Sequence, residues 1–167
     1  GFIKRTPLSA FSKIRSNGLI AINLEEGDAL TWVRLSTEGD SVLIGSRKGM
    51  TIHFRLDINE LRPLGRTARG VKSMNLKDGD KLVSMDVLTS DLVDQLAKIE
   101  NENEEDLENN SSNGPWVLVA SAFGLGKRVP VTQFRLQKRA GMGLRAIKFR
   151  LKAVSYTHLT LPTIGEV

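Results

Sequence analysis

The sequence contains no cysteine, only two histidines, and 5% aromatic residues among its 167 residues. Without thiols, the chain has no disulfide bonds, no thiolate nucleophile and no cysteine-based zinc site. His53 and His158 share no spacing with carboxylates that is typical of metal ligands, and no Ser-His-Asp arrangement can be built around them. The residue types present therefore predict no catalytic site, no cofactor and no metal.

The chain also lacks an apolar run of the ~18–20 residues that a membrane-spanning helix needs. No signal peptide is recognisable at its start. The hydrophobic content of 40% is ordinary for a globular protein. A chain of this length accommodates one domain with a core, or a few units of a repeat array.

Charge is distributed unevenly along a chain whose formal net charge is +5. Residues 89–114 contain eight acidic side chains and one basic side chain, Lys98. The rest of the chain carries 23 basic and 11 acidic side chains, which gives it a net charge of +12. A body with this charge favours polyanionic partners such as DNA, RNA or an anionic membrane surface.

A repeat of about fifty residues runs through the sequence. "RSNGLIAINLEEGDALTWVRL" (15–35) matches "TARGVKSMNLKDGDKLVSMDV" (67–87) at an offset of 52 residues. "SVLIGSRKGMTIHF" (41–54) matches "WVLVASAFGLGKRV" (116–129), and "GMGLRAIKF" (141–149) continues the third copy. Similarity at so many aligned positions predicts an array of related units.

Each unit reads as β structure. "SVLIGS" and "WVLVAS" are short, apolar and rich in β-branched residues, and "VKSMNL" and "LRAIKF" alternate apolar with polar residues. The Gly-Asp pairs at 27–28 and 79–80 are turn signals between such runs. We therefore predict an all-β, propeller-like array of about three four-stranded blades.

The repeat boundaries divide the chain into five parts. They are a partial blade at 1–40, a blade at 41–88, an acidic insert at 89–114, a blade at 115–152 and a non-matching tail at 153–167. In the insert, residues 90–100 fit a short amphipathic helix with Ser90 as its N-cap and Leu92, Leu96 and Ile99 on one face. The remainder is too polar to be buried. We interpret the tail as an artefact such as a read-through extension and omit it from functional reasoning.

Residues 1 to about 152 resemble the C-terminal domain of the DNA gyrase A subunit. The similarity lies in "NGLIAINLEEGDALTWVRL", in "RPLGRTARGVKSMNLKDGDKLVSMDVL" and in "GKRVPVTQFRLQKRAGMGLRAIKFR". It implies about three blades of a six-bladed β-pinwheel, a propeller relative in which blades exchange a strand. It also implies that the basic rim wraps double-stranded DNA and supports negative supercoiling by a type II topoisomerase.

The resemblance implies partners and a location as well. The partners are double-stranded DNA and, in the whole enzyme, the gyrase B subunit together with a second gyrase A subunit. The location is the bacterial cytoplasm in association with the nucleoid, or alternatively a chloroplast or another organelle of bacterial descent.

The sequence departs from the family pattern in two places. The family's Gln-Arg-Arg-Gly-Gly-Lys-Gly box is met by a degenerate copy at residues 137–143, which we expect to support DNA wrapping without being essential to it. The half of gyrase A that carries the DNA-cleaving tyrosine is not matched, and Tyr156 lies in the tail. We therefore expect this chain itself to be no enzyme, although the parent resembles an ATP-dependent topoisomerase.

The candidate DNA-binding residues are basic side chains that recur with the units or stand close to their glycines. They are Lys4, Arg5, Arg15, Arg47, Lys48, Arg66, Arg69, Lys127, Arg128, Arg135, Lys138, Arg139 and Arg145. Equivalent positions of a ring lie on one rim, so this pattern predicts a belt that contacts the DNA backbone. Little sequence specificity is expected, since the repeats offer no recognition helix.

Three other interpretations concern the same residues. The "GLGKR" run at 124–128 has the wrong spacing for a phosphate-binding loop and is followed by a strand, so we interpret it as a turn. A protein-interaction propeller, or the equivalent domain of topoisomerase IV, is the alternative for the whole chain. The acidic insert is either a solvated loop or an electrostatic competitor of DNA at the basic rim.

Overall fold

The computed structural model describes residues 1–101, 115–148 and 156–160. The strands are β1 (Phe2–Ile3), β2 (Ser41–Ser46), β3 (Met50–Arg55), β4 (Val71–Lys72), β5 (Leu82–Leu88), β6 (Trp116–Ser121), β7 (Gly126–Pro130), β8 (Leu144–Arg145) and β9 (Tyr156–Thr160). Short 3₁₀ turns cover Leu8–Phe11 and Val131–Gln133, and one helix, α1, covers Ser90–Asn101. The predominance of antiparallel strands confirms the predicted all-β class.

The central sheet has the strand order β5-β2-β3-β8, and all of its pairs are antiparallel. Alternate side chains of a strand point to opposite faces, and both faces of β2 are buried. Val42 and Ile44 pack in one apolar cluster with Ile52 and Phe54. Leu43 joins a second cluster that contains residues of the third unit. The central sheet therefore packs against a hydrophobic core on each of its two faces.

The second sheet has the order β7-β6-β9. Val117 and Val119 of β6 are buried in the second cluster, while Leu118 between them is 46% exposed. Strand β9 comes from the segment that we interpreted as a non-matching tail. It pairs with β6 as β5 pairs with β2.

In the second and third units, a two-residue strand completes the sheet of the unit before it. Strand β4 pairs with β1, and β8 pairs with β3 in the same register. The hydrogen bond that follows also recurs: the Ser73 amide donates to the Gly1 carbonyl at 2.9 Å, and the Ala146 amide donates to the Gly49 carbonyl at 2.9 Å. The strand exchange implied by the family resemblance is therefore present.

Glycine is required where this exchanged strand begins. Gly70 and Gly143 have φ values of +103° and +78°, in the left-handed region that other residues rarely adopt. A Cβ atom on either would lie 2.6 Å from a partner-strand carbonyl oxygen, that of Ile3 or Thr51 respectively. The glycines that mark the repeat therefore allow the two backbones to approach.

The first unit differs from the expectation of a strand-rich partial blade. Residues 12–40 contain no strand, and Ile20, Leu24, Leu30 and Val33 are exposed. A strand needs a partner for its amide and carbonyl groups. Among the described residues, no strand pairs with this segment, which explains why the matching sequence forms strands only in the later units.

The acidic insert begins with helix α1, one residue longer than predicted. The first helical hydrogen bond runs from the Val93 amide to the Thr89 carbonyl at 3.0 Å, so Thr89 and not Ser90 is the N-cap. The Ser90 amide donates instead to Oδ1 of Asp40 at 2.9 Å. Val93 is buried, with Leu92 beside it. The structure does not describe the side chains of Leu96 and Ile99, so their predicted place on that face is not tested. Residues 102–114 also lie outside the described part of the chain.

His53 links the second unit to the third. Its Nε2 lies 2.7 Å from Ser41 Oγ, and its Nδ1 lies 2.6 Å from the Phe134 carbonyl oxygen. Burial lowers the pKa of His53 below its ordinary value; the Phe134 carbonyl opposes the shift and the positive charge of Arg55 adds to it. The neutral ring therefore serves as a buried polar tie between units.

Replacing Gly143 with alanine should destabilise the protein more than replacing Gly27 does. Both residues have positive φ, which costs an alanine roughly 1–2 kcal/mol. A Cβ added at Gly27 has no atom within 4 Å, whereas a Cβ added at Gly143 meets the Thr51 carbonyl. Urea unfolding should show an additional loss of about 2 kcal/mol for Gly143→Ala. Equal losses in the two variants would contradict the close approach of β8 to β3.

Acidification should weaken the fold through His53. The unfolded chain has the ordinary histidine pKa of 6.5 and takes up a proton before the folded chain does. The free energy of unfolding should therefore fall as the pH drops below 6.5 and level off below the folded-state pKa, with a slope of at most ~1.4 kcal/mol per pH unit. The comparison is a series of urea titrations on the wild type and on His53→Gln. The same slope in both would assign the pH dependence to other groups.

Candidate nucleic-acid interface

The best-defined basic surface is built around one carboxylate, Asp80. Its Oδ2 accepts a hydrogen bond from Ser46 Oγ at 2.7 Å, and its Oδ1 accepts the amides of Lys48 and Lys81, each at 2.9 Å. The Arg47 amide donates to the Lys81 carbonyl at 2.7 Å. Asp80 therefore joins the turn between β2 and β3 to the turn that precedes β5.

Four basic residues project from these joined turns. We call them the turn cluster: Arg47, Lys48, Lys77 and Lys81. Lys48 also donates from Nζ to the carbonyl of Asp78, an exposed acidic residue of the same turn. With Asp78 and Asp80 counted, the site retains an excess of two positive charges on a backbone held by several hydrogen bonds. Such a surface fits the phosphates of a nucleic-acid backbone.

The sequence predicted only half of the turn cluster. It identified Arg47 and Lys48 but missed Lys77 and Lys81, which flank the Gly79–Asp80 turn. The available signal was the turn itself, because an aspartate at a repeated turn position accepts nearby backbone amides. That this carboxylate reaches across to a second turn follows only from the three-dimensional structure.

A second group of basic residues lies on the third unit. Lys127 and Arg128 are exposed on β7, and the guanidinium of Arg128 lies over the Trp116 ring, 4.5 Å from its centroid. Trp116 is half-buried, and its ring supports the Arg128 guanidinium at the surface. Three further predicted side chains of this unit are accessible to solvent: Arg135, Lys138 and Arg145.

The equivalent pair in the first unit has a different environment. Arg5 is 14% exposed and donates to Glu38 Oε2 at 2.6 Å, and it also donates to the Leu56 carbonyl of the next unit. Lys4 donates from Nζ to the Gly65 carbonyl at 3.2 Å and to the carbonyl of Arg66. Partial desolvation, followed by the positive charge of Arg66, lowers the pKa of Lys4. Both side chains are thus committed to contacts within the protein.

Arg139 occupies a comparable bracing position in the degenerate box. Its Nε donates to the Glu60 carbonyl at 2.8 Å and its Nη1 to the Lys72 carbonyl at 2.6 Å, while its amide donates to Glu60 Oε2 at 3.0 Å. The neighbouring Ala140 amide donates to the Ser73 carbonyl at 2.9 Å. Residues of the degenerate box therefore hold the third unit to the second through hydrogen bonds.

The remaining predicted residues lie around the first unit and its junction with the second. Arg69 lies over the Phe2 ring, 4.0 Å from its centroid, and forms an ion pair with Glu25. Arg15 and Arg66 are both accessible to solvent. These contacts leave Arg69 the most constrained of the three.

The part of the chain that the structure describes contains no group of three or more His, Asp or Glu side chains that could hold a metal ion. The same residues include no helix long and apolar enough to cross a membrane. The described surface carries basic side chains on strands and turns, and such side chains are suited to binding anions.

The family model described as DNA gyrase C-terminal domain, beta-propeller, matches residues 1–37, 40–89 and 115–153. The DNA gyrase A subunit of Synechocystis is 56% identical over 161 residues, which cover 91% of this chain and 19% of that protein. The chloroplastic/mitochondrial DNA gyrase A subunit of Arabidopsis thaliana is 39% identical over 170 residues, covering 99% of this chain and 17% of the relative. The chain thus spans about a fifth of the length of these relatives.

Solved structures share the fold at lower identity. The C-terminal domain of DNA topoisomerase IV superposes with a TM-score of 0.75 at 24% identity, covering 96% of this chain and 43% of that one. The DNA gyrase A C-terminal domain gives a TM-score of 0.51 at 15% identity, with coverages of 95% and 41%. Matching in three successive segments and in overall architecture, the chain belongs to the DNA gyrase C-terminal domain family of beta-propellers.

Proposed function

We propose that this chain binds double-stranded DNA through its backbone and bends it around the basic side of the blades. The observation that carries the proposal is the turn cluster, where Asp80 fixes two turns and directs four basic residues to the surface. Membership of the gyrase C-terminal family supports the same conclusion.

The physics of wrapping requires many weak contacts and no base readout. Each neutralised phosphate releases counterions, so log K falls by ~0.9 for a tenfold rise in salt. Smooth bending opposes binding by roughly 1–6 kcal/mol per 20–30 base pairs. Several basic residues on each blade offset this cost. Contacts confined to phosphates carry little sequence information, so binding is largely independent of sequence.

The predicted basic residues separate into two roles in this proposal. The accessible ones contact DNA: Arg15, Arg47, Lys48, Arg66, Arg69, Lys127, Arg128, Arg135, Lys138 and Arg145. Lys77 and Lys81 join them through the turn cluster. Lys4, Arg5 and Arg139 act mainly by holding the units that present these side chains, because they are partly buried and their donors engage carbonyl groups of the protein.

In the whole enzyme, the module supports negative supercoiling by a gyrase-type topoisomerase. Its partners there are DNA, the gyrase B subunit and a second gyrase A subunit. The module bends the DNA, and the other parts of the enzyme cleave it. The bacterial and plant organellar relatives support a location in a bacterial cytoplasm at the nucleoid, or in an organelle of bacterial descent.

Neutralising the turn cluster should lower both affinity and salt dependence. Replacing Arg47 and Lys48 with glutamine removes two phosphate contacts, so the slope of log K against log salt should become shallower by about 1.8. Fluorescence anisotropy with a duplex of mixed sequence at several salt concentrations measures this slope. The matched control is Lys13→Gln with Arg34→Gln, which removes the same charge from the strand-free part of the first unit.

The outcomes of this comparison are distinct. A larger change of slope in Arg47→Gln/Lys48→Gln than in the control supports a local contact at the turn cluster. Equal changes of slope in the two double variants would mean that only the total charge of the protein matters. If the wild type does not bind DNA at low salt, the proposed function is wrong. Wrapping is tested separately, by ligating nicked circles with bound protein and asking whether the product retains writhe.

A further inference from the structure

We propose that helix α1 (Ser90–Asn101) is a brace, meaning a helix that restricts the movement of the third unit relative to the second. By fixing the orientation of the two units, the brace also sets the bend of a DNA duplex that lies across both. The brace itself is independent of DNA, whereas its effect on DNA rests on the proposed function.

The helix lies in one of two equivalent links between units. The short link, residues 37–40, connects the first unit to the second, and the long link, residues 89–115, connects the second to the third. In both links the last residue, Asp40 or Pro115, accepts a backbone hydrogen bond from the unit that follows. The short link contains no helix, and α1 lies between the ranges that match the family model. Joining two units therefore does not require α1.

The start of α1 is bound to the short link by a buried carboxylate. Asp40 is 4% exposed. Its Oδ1 accepts the Ser90 amide at 2.9 Å, and its Oδ2 accepts the Thr37 amide at 2.7 Å. Ser90 also packs against this link, since a Cβ added at Gly39 would lie 3.3 Å from the Ser90 Cβ. The first turn of the helix is therefore anchored between the first and second units.

One turn further along, α1 reaches the third unit. Val93 is 3% exposed and belongs to the same hydrophobic cluster as Val131 and Phe134 of the third unit. Leu43 and Leu88 of the second unit lie in this cluster as well. Burial of a valine side chain in such a core is favourable. The helix therefore connects its anchor at the short link to a core that the second and third units share.

This contact adds to two other attachments between the same units. The degenerate box and β8 hold the third unit to the second over residues 137–145, and His53 contacts the Phe134 carbonyl oxygen at 2.6 Å. Two attachments allow a rotation about the line that joins them, and a third attachment restricts this rotation. The contact through Val93 supplies the third attachment.

The orientation of the units matters for DNA because each unit carries its own basic residues. The turn cluster lies on the second unit, and Lys127 and Arg128 lie on the third. A duplex that contacts both groups resists bending, so it pushes the two units apart in angle. The exposed residues at the start of α1, Asp91 and Asp94, are acidic and do not suit phosphates. The helix therefore maintains the bend without binding the DNA.

Distances between spin labels test the brace without DNA. The chain has no cysteine of its own, so Asn59→Cys in the second unit and Phe123→Cys in the third give one labelled pair at exposed positions. Double electron–electron resonance should show that Val93→Ala shifts or broadens the distance distribution. The matched control is Val119→Ala, which removes the same atoms from the same cluster and leaves α1 unchanged. An unchanged distribution in Val93→Ala, or the same change in Val119→Ala, would overturn the brace.

The anchor is tested with the same labels and Asp40→Asn. An asparagine keeps one acceptor oxygen but turns an NH₂ group toward the other backbone amide, so one of the two hydrogen bonds is lost. Asp57→Asn removes the same charge, and because Oδ1 of Asp57 accepts both amides of its turn, an asparagine oxygen can keep both bonds. The distribution should change in Asp40→Asn only. Identical results in the two variants would contradict the anchor.

The effect on DNA appears as a difference between bending and affinity. Val93→Ala should retain less writhe than the wild type in ligated nicked circles, whereas its affinity for a duplex of about one helical turn (~10 base pairs) should stay the same. Val119→Ala should match the wild type in both measurements. Circular dichroism checks that both variants keep the wild-type fold.

These outcomes separate the brace from the proposed function. If the wild type retains no writhe, DNA wrapping by this chain is wrong, and the label distances alone decide the brace. If Val93→Ala changes the label distances but retains the wild-type writhe, the orientation of the units does not set the bend. An equal loss of short-duplex affinity and writhe would assign the effect to DNA contacts and contradict the role of α1 in bending.

Discussion

The structure depends on one backbone constraint: the second and third units each complete the sheet of the preceding unit with a two-residue strand. Such a short strand contributes few hydrogen bonds, so its position must be fixed by its surroundings. Gly70 and Gly143 allow the close approach to the partner carbonyl, and Ser73 and Ala146 supply the recurrent amide donors. Because units are tied through backbone atoms, the side chains at the junctions are free to differ from unit to unit.

This constraint explains why residues at equivalent positions have different roles. Arg5, His53 and Arg128 occupy the same place in their units. The first two reach carbonyl groups of the following unit, at Leu56 and Phe134, and are mostly buried. In the described residues, no following unit covers Arg128, and its guanidinium lies on Trp116 in contact with solvent. Whether a neighbouring unit covers a position decides if a basic side chain braces the protein or is accessible to a polyanion.

Much of the fold could be predicted because its signals are local. The short apolar run "WVLVAS", rich in β-branched residues, indicated β6, and in the structure Val117 and Val119 are buried on one face of that strand while Leu118 is exposed on the other. The turn residues at Gly79–Asp80 and the amphipathic start of α1 are equally local. The expectations that were wrong depended on neighbours. The segment 12–40 has a strand-like sequence but no partner strand among the described residues, and the Ser90 amide is bound by the Asp40 carboxylate while Thr89 caps the helix.

The candidate site was less predictable than the fold for a related physical reason. A basic residue in sequence signals charge, but its capacity to bind a ligand depends on whether its donors are already bound. Arg139 lies in the box that most resembles a family signature, yet its guanidinium donates to the carbonyls of Glu60 and Lys72. Lys81 lies outside the family signature, and its amide is bound by Asp80 in the turn cluster. In a repeat protein, motifs therefore mark junctions between units more reliably than they mark the surface that meets a ligand, since junction geometry constrains sequence more tightly than contact with phosphates does.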